Sequence, residues 1–157
     1  MTLPEFFAPN IIIQPPGPIA QRILEKEKKH LYVSKYPTNI VASEARGCTI
    51  KDVDGNTYID FSSGTAVSNI GHCHPKVVAA IKRQAEKISH LGSQLHYELT
   101  INLARMLGNI APGELKRVFF SNSGTEATEA ALKVSRAFTK KPMIISFLGA
   151  FHGRSLG

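Results

Sequence analysis

Tryptophan is absent from the chain, and cysteine appears only as Cys48 and Cys73. Two thiols outside any CxxC pair make no disulfide framework, and each reads most simply as a small core residue. Long apolar runs are also missing. Nothing approaches the roughly 18 consecutive apolar residues of a membrane span. The opening MTLPEFFAPNIIIQPPGP has no basic n-region and its apolar run is broken by prolines, so it does not read as a signal peptide, and a cytoplasmic protein is expected. There is no GxxxxGK phosphate loop, and Ser123 lacks the glycine two positions earlier that a nucleophile elbow needs. Acidic residues are outnumbered, giving a formal charge of +7 over 157 residues. The basic residues are scattered, and the groups around Lys26–Lys29 and Lys82–Lys87 are mixed with glutamates. Solvated helix faces explain them better than a nucleic-acid stripe.

What remains is an ordinary globular composition, 43% apolar and 20% charged. Residues 1–17, rich in proline, read as an irregular arm. Residues 18–64 read as a helix, Ile19–His30, followed by short antiparallel strands. CTIKDVDGNTYIDF alternates around an Asp54-Gly55 turn, a hairpin signal. Asp52, Asp54 and Asn56 are spaced somewhat like a calcium loop, but the glycine is misplaced and no closing glutamate follows, so the hairpin reading is preferred. Residues 65–113 read as a helical connecting segment, with helices over Pro75–Ile88 and Glu98–Ile110; the latter is expected to end near Gly108, before Pro112.

From residue 114 the texture changes to strand (RVFF), turn (SNSG), helix (TEATEAALKVSRAF) and strand (PMIISF). That is a βαβ unit, the start of a parallel α/β sheet. Such a sheet needs more strands, so continuation beyond Gly157 is expected.

The SNSG turn opens a helix whose first amides lack partners and lie at the positive end of its dipole. Gly124 allows close backbone approach, and Ser121, Ser123 and Thr125 add hydroxyls, a combination suited to phosphate. On the turn alone, capping by Asn122 or Ser123, with Gly124 easing the turn, is the slightly preferred reading. Glu126 and Glu129 complement the dipole, and Glu129 is spaced to pair with Lys133. One strand later comes Gly149-Ala150-Phe151-His152-Gly153-Arg154, at the carboxyl end where open α/β sheets bind ligands. An aromatic ring beside an anion cradle suits a flat phosphorylated heterocycle, although a phenylalanine such as Phe151 is, taken alone, more often a core residue than a cofactor contact. His72-Cys73-His74 offers a metal fragment, but zinc needs about four ligands and no partner cluster has suitable spacing, so a structural turn into the helix at Pro75 is preferred.

Taken together, NSGTEATEAALKVSR, AFHGRSLG and the upstream DVDGNTYIDFSSGTAVSNIGHCHPKVVAAIKRQAEKISH resemble the class III pyridoxal-phosphate-dependent aminotransferases over roughly residues 18–157. The resemblance implies an α/β fold of the aspartate aminotransferase-like type I, here its small-domain start and the first βαβ unit of the large domain (114–157). It implies pyridoxal 5'-phosphate as cofactor, contacted through its phosphate by Ser123, Gly124 and Thr125, with Phe151 stacked on its ring and His152 alongside. Arg154 matches an arginine that holds a substrate carboxylate in the acetylornithine branch, and Thr65 and Gln94 match substrate-pocket positions. The expected reaction moves an amino group from an ω-amino acid, 4-aminobutyrate first, to a 2-oxo acid. Ornithine or acetylornithine aminotransferases, racemases and aminomutases are the alternatives within the family. The family's Schiff-base lysine and ring-nitrogen acid would lie beyond Gly157, and Lys133, Lys140 and Lys141 read as surface charges. The segment alone is therefore expected to be inactive, and a non-enzymatic remnant is the alternative of another class. The resemblance further implies a homodimer, with no nucleic-acid or membrane partner.

Overall fold

The computed structural model describes residues 7–32, 38–92 and 94–156; the first six residues of the expected arm lie outside the described residues. The chain forms two compact units, Met1–His90 and Leu91–Gly157.

The first unit is built on a three-stranded antiparallel meander, β1 (Ala42–Arg46), β2 (Thr49–Asp52) and β3 (Thr57–Ile59), in the order β1-β2-β3. Ile50 faces Tyr58 across the second pair, so the hairpin forms around Asp54-Gly55 as expected. The three polar residues of DVDGN turn inward and bind the protein's own backbone. Asp52 Oδ1 accepts from the amides of Asp54 (3.0 Å) and Asn56 (2.8 Å), and its Oδ2 accepts from Asn56 Nδ2 (2.7 Å) and the Tyr58 hydroxyl (2.8 Å). Asn56, fully buried, offers Oδ1 to the amides of Ile12 (2.8 Å) and Ile13 (2.9 Å). Asp54 offers both carboxylate oxygens to the amides of Ile19 (2.8 Å) and Ala20 (2.9 Å).

Those last two amides open helix α1 (Pro18–His30), whose N-cap, Gly17, supplies no side-chain cap. Asp54 therefore caps α1 from 34 residues away and complements its dipole. A Cβ on Gly17 would stand 2.7 Å from Asp54 Oδ2, so the approach demands glycine. The expected irregular arm lacks helix and strand over its described part, yet it is tied down at Asn10, Ile12 and Ile13. Ala20 is the one fully buried apolar side chain among the described residues, whereas Thr49, Asp52, Asp54, Asn56 and Thr57 are all buried. A satisfied polar cluster holds this unit together.

After β3 the chain makes a single left-handed turn, α2 (Ser63–Ala66), and then helix α3 (Pro75–Ala85). The latter stops three residues short of the expected Ile88. Cys48 and Cys73 are both exposed, which corrects the reading of them as core residues. Their neighbours explain this, since Gly47 and His72 pair through their backbones and leave the adjoining thiols at the surface.

The second unit contains helices α4 (Glu98–Ile110) and α5 (Gly124–Thr139). Helix α4 has the expected bounds and runs past Gly108, which is buried because the chain returns over it: a Cβ there would meet the Lys116 carbonyl at 2.9 Å. The two strands of the expected βαβ unit do not form. Val118–Phe120 and Met143–Phe147 enter no ladder among the described residues, and Ile145 and Phe147 are almost fully exposed. Apolar, β-branched and aromatic composition makes a segment fit for a sheet, but hydrogen-bonded neighbours make it a strand, and these two runs do not pair with each other.

Candidate functional site

The SNSG turn is organised by Ser123, which caps α5 in extended conformation (φ −154°, ψ 160°). Its Oγ accepts from the Glu126 amide (3.2 Å), and its carbonyl accepts from the Ala127 amide (3.0 Å) and the Ser121 hydroxyl (3.2 Å). Glu126 reaches back to the Asn122 amide (2.6 Å), a capping box displaced by one residue. Capping therefore occupies the amides of Asn122 and Glu126. Those of Ser123, Gly124 and Thr125 donate to no acceptor among the described residues. A Cβ on Gly124 would meet nothing within 4 Å, so the space beside Gly124 is open. Three amides without a described acceptor, at the positive end of a 16-residue helix, are the donors that a phosphate-sized anion could use.

The second motif reaches this turn. Gly153, at φ +117°, lies so close to Thr125 that a Cβ would stand 2.6 Å from Thr125 Oγ1 and 2.9 Å from its Cα. Further on, Glu129 Oε1 accepts from the Ser155 hydroxyl (2.6 Å) and the Leu156 amide (2.9 Å). The segment from Gly153 to Leu156 is thereby laid along the first two turns of α5. His152 Nε2 lies 3.4 Å from Ser146 Oγ, Phe151 is 75% exposed, and the Arg154 guanidinium is exposed with no partner among the described residues.

The structure thus brings Ser123, Gly124 and Thr125 together with the loop bearing Phe151, His152 and Arg154. Gln94 lies exposed in a turn closed by the Leu95 amide on the Gly92 carbonyl (3.3 Å), ahead of α4. Thr65 belongs to the other unit and sits within α2. Two residues that hold the site together were not singled out from the sequence. Glu129 was read only as a helix-surface charge, and Gly153 went without a role, although a glycine inside FHGR is the available signal for a close backbone approach.

Thr65 has an unusual backbone. Ser63, Gly64, Thr65 and Ala66 all have φ between 50° and 64°. Left-handed conformation costs roughly 1–2 kcal/mol for each non-glycine residue, so the turn needs external anchors. Asp60 Oδ1 accepts from the amides of Ser62 and Ser63 (2.8 Å each), and Oδ2 lies 2.7 Å from His72 Nε2. The His72 hydrogen bond, followed by the two amides, holds the Asp60 carboxyl below its ordinary value. This engagement of His72 is the structural turn expected at His72-Cys73-His74.

A family model described as aminotransferase class III matches residues 32–157. The chain belongs to that family, a family of pyridoxal-phosphate-dependent aminotransferases. It is 42% identical over 154 residues to an alanine/serine racemase of Pyrococcus horikoshii, an alignment covering 95% of this chain and 32% of the relative. It is 42% identical over 138 residues to an acetylornithine aminotransferase of Methanopyrus kandleri, covering 88% of this chain and 35% of the relative. It is also 42% identical over 135 residues to a Bacillus subtilis protein named "probable 4-aminobutyrate aminotransferase", covering 83% and 31%. Among solved structures, an ornithine aminotransferase of Toxoplasma gondii, described with partial occupancy of pyridoxal phosphate at its active site, superimposes with a TM-score of 0.75 at 28% identity, covering 87% of this chain and 33% of that one. The α/β aminotransferase fold is thus shared, and the chain spans about a third of the length of these relatives.

Proposed function

We propose that this chain supplies the cofactor-phosphate seat of a class III aminotransferase that moves the terminal amino group of an ornithine-type donor to a 2-oxo acid. The observation that carries the reading is the contact between Gly153 and Thr125, which joins the FHGR loop to the open amides of the SNSG turn. The amides of Ser123, Gly124 and Thr125 and the Thr125 hydroxyl would hold the phosphate of pyridoxal 5'-phosphate; Phe151 would cover the ring and His152 would flank it. When bound, that cofactor supplies an electron-withdrawing ring that stabilises negative charge at the donor's reacting carbon. Arg154 would hold a donor carboxylate with its planar fork, and Thr65 and Gln94 would line the donor's path. Residues 114–157 would begin the cofactor-binding domain.

The sequence pointed first to 4-aminobutyrate. The acetylornithine and ornithine aminotransferases among the relatives favour the ornithine type instead. A second reading, amino-acid racemisation, is supported by the racemase that aligns with 95% of the chain. The discriminating assay offers acetylornithine, ornithine, 4-aminobutyrate and L-alanine to the holoenzyme, with and without 2-oxoglutarate. Glutamate formed fastest from acetylornithine or ornithine supports the proposal. Inversion of alanine without a 2-oxo acid, and no glutamate, would replace it with the racemase.

Lys133, Lys140 and Lys141 are not proposed to serve this seat. Lys140 and Lys141 follow the far end of α5, about 24 Å from its start at 1.5 Å per residue, and Lys133 is exposed midway along it. Residues 1–157 by themselves are therefore expected to show no turnover above free cofactor. A homodimer and a cytoplasmic location complete the proposal; the dimer is tested by light scattering of the holoenzyme. No helix among the described residues is long and apolar enough to cross a membrane.

A further inference from the structure

We propose that Asp60 and His72 are positioning residues whose pairing holds the left-handed turn at Ser63–Ala66, fixing Thr65 in place and with it the choice of amino donor. This rests on the reading of Thr65 as a pocket residue.

The turn is clasped at both ends. At its entrance the Asp60 amide donates to the Cys48 carbonyl (2.8 Å), and the Asp60 carboxylate takes the amides of Ser62 and Ser63. Within the turn, the amides of Val67 and Ser68 both reach the Ser63 carbonyl (2.8 Å each), and that of Ala66 reaches Ser62 (2.9 Å). At its exit, the Gly71 amide returns to the Ser68 carbonyl (2.9 Å), and His72 exchanges two backbone hydrogen bonds with Gly47 (3.0 and 2.8 Å). Gly71 passes Gly47 so closely that a Cβ would meet its Cα at 3.0 Å. Entrance and exit both rest on the β1–β2 hairpin, and the His72–Asp60 contact closes the ring between them. The Asp60 carboxylate is nearly buried, with 7% of its side chain exposed, so solvent does little to replace a lost partner.

Residues in disfavoured backbone regions persist only where surrounding structure over-determines them. Ser63, Thr65 and Ala66 have no intrinsic reason to keep positive φ. Releasing the clasp lets them relax towards ordinary conformations and moves the Thr65 side chain. A general stabilising role would instead loosen the whole unit. Neither Asp60 nor His72 is proposed to touch substrate.

The test compares His72→Ala, His72→Gln (whose amide nitrogen can stand in for Nε2) and Asp60→Asn in the holoenzyme. Peptide-resolved hydrogen exchange over residues 60–72 is read beside KM and kcat for two donors of different bulk. The expected result in His72→Ala is at least tenfold faster exchange confined to residues 62–68, with the KM ratio of the donors shifted several-fold and kcat changed less. His72→Gln restores both. Asp60→Asn, which keeps an acceptor for the two amides, shows the same pattern more weakly and serves if His72→Ala does not fold. Unchanged exchange at 62–68 would overturn the clasp, as would loosening spread evenly over residues 7–90. Local loosening with an unchanged donor ratio would overturn the link to selectivity. Absence of transamination from the unsubstituted holoenzyme would refute the proposed function instead, while the exchange data still decided the clasp.

Discussion

Replacing Gly124 with alanine separates the two jobs of the SNSG turn. Gly124 is the first residue of α5, its φ is not positive, and an added Cβ meets nothing within 4 Å. Alanine at such a position restricts the unfolded chain without straining the folded one, which stabilises by about 0.4–1 kcal/mol. For a domain of this size that raises Tm by about 1–4 °C. In the proposed seat the same methyl group would take up the open space beside Gly124 that the phosphate approaches. A phosphate held there loses at least one charge-assisted hydrogen bond, about 1.5–3 kcal/mol, or roughly 10- to 150-fold in affinity. The assay is calorimetric titration with pyridoxine 5'-phosphate, which lacks the aldehyde and so reports the phosphate seat alone, paired with thermal unfolding. Higher Tm with weaker binding is the expected outcome. Higher Tm with unchanged affinity would mean that the open amides hold no phosphate and that SNSG is only a cap.

Gly153→Ala should do the opposite, because its Cβ would strike Thr125 Cα at 2.9 Å and its φ is +117°. Overpacking and backbone strain each cost about 1–3 kcal/mol, so Tm falls together with affinity; an unchanged Tm would refute the contact. Asp54→Ala removes both acceptors from the first turn of α1 and leaves its amides facing a buried site, and should lower stability by about 2–4 kcal/mol in urea unfolding. A change below about 0.5 kcal/mol would show that α1 needs no remote cap. At Asp52, burial works to raise the pKa, but the hydrogen bonds from Asn56, Tyr58 and the two amides outweigh it and leave it below the ordinary 3.8. A lowered folded pKa means that the unfolded chain takes up the proton first. The stabilisation is therefore present above about pH 4 and is lost as pH falls through the folded value. Urea midpoints measured from about pH 6 down to 2.5 should drop in the unsubstituted chain and flatten in Asp52→Asn; parallel curves would contradict this assignment.

The helices were legible in the sequence because each has a local start and stop. Pro18 and Pro75 occupy first-turn positions, and the Glu98 helix runs to Ile110 as expected. The DVDGN hairpin was legible too, since its turn chemistry is contained in five residues. The use made of its side chains was not. Asp54 acts on Ile19 and Ala20, and Asn56 on Ile12 and Ile13, across separations that no spacing rule anticipates. Strand character failed for a related reason: RVFF and PMIISF have the right composition, yet a ladder depends on neighbours that lie elsewhere in a chain. The left-handed turn was hidden because Ser63, Thr65 and Ala66 do not favour it; its cause is Asp60 and His72, one on either side.

For the site itself, the sequence left capping and anion binding as competing readings of one turn. The geometry leaves room for both readings at once. A capping side chain can satisfy only the amides it reaches, and here Ser123 reaches Glu126 while Glu126 reaches Asn122. The amides between them donate to no acceptor among the described residues, so the cap fixes the helix start without using all of its donors. An anion seat at a helix start needs that division, because an uncapped turn would fray and a fully capped one would have nothing to offer. Glycine at position 124 keeps the division open. Glycine at position 153 lets the second loop descend onto Thr125, and the Glu129 carboxylate ties the same loop down at Ser155 and Leu156, so a closely approached glycine and one charged side chain bring the two motifs together.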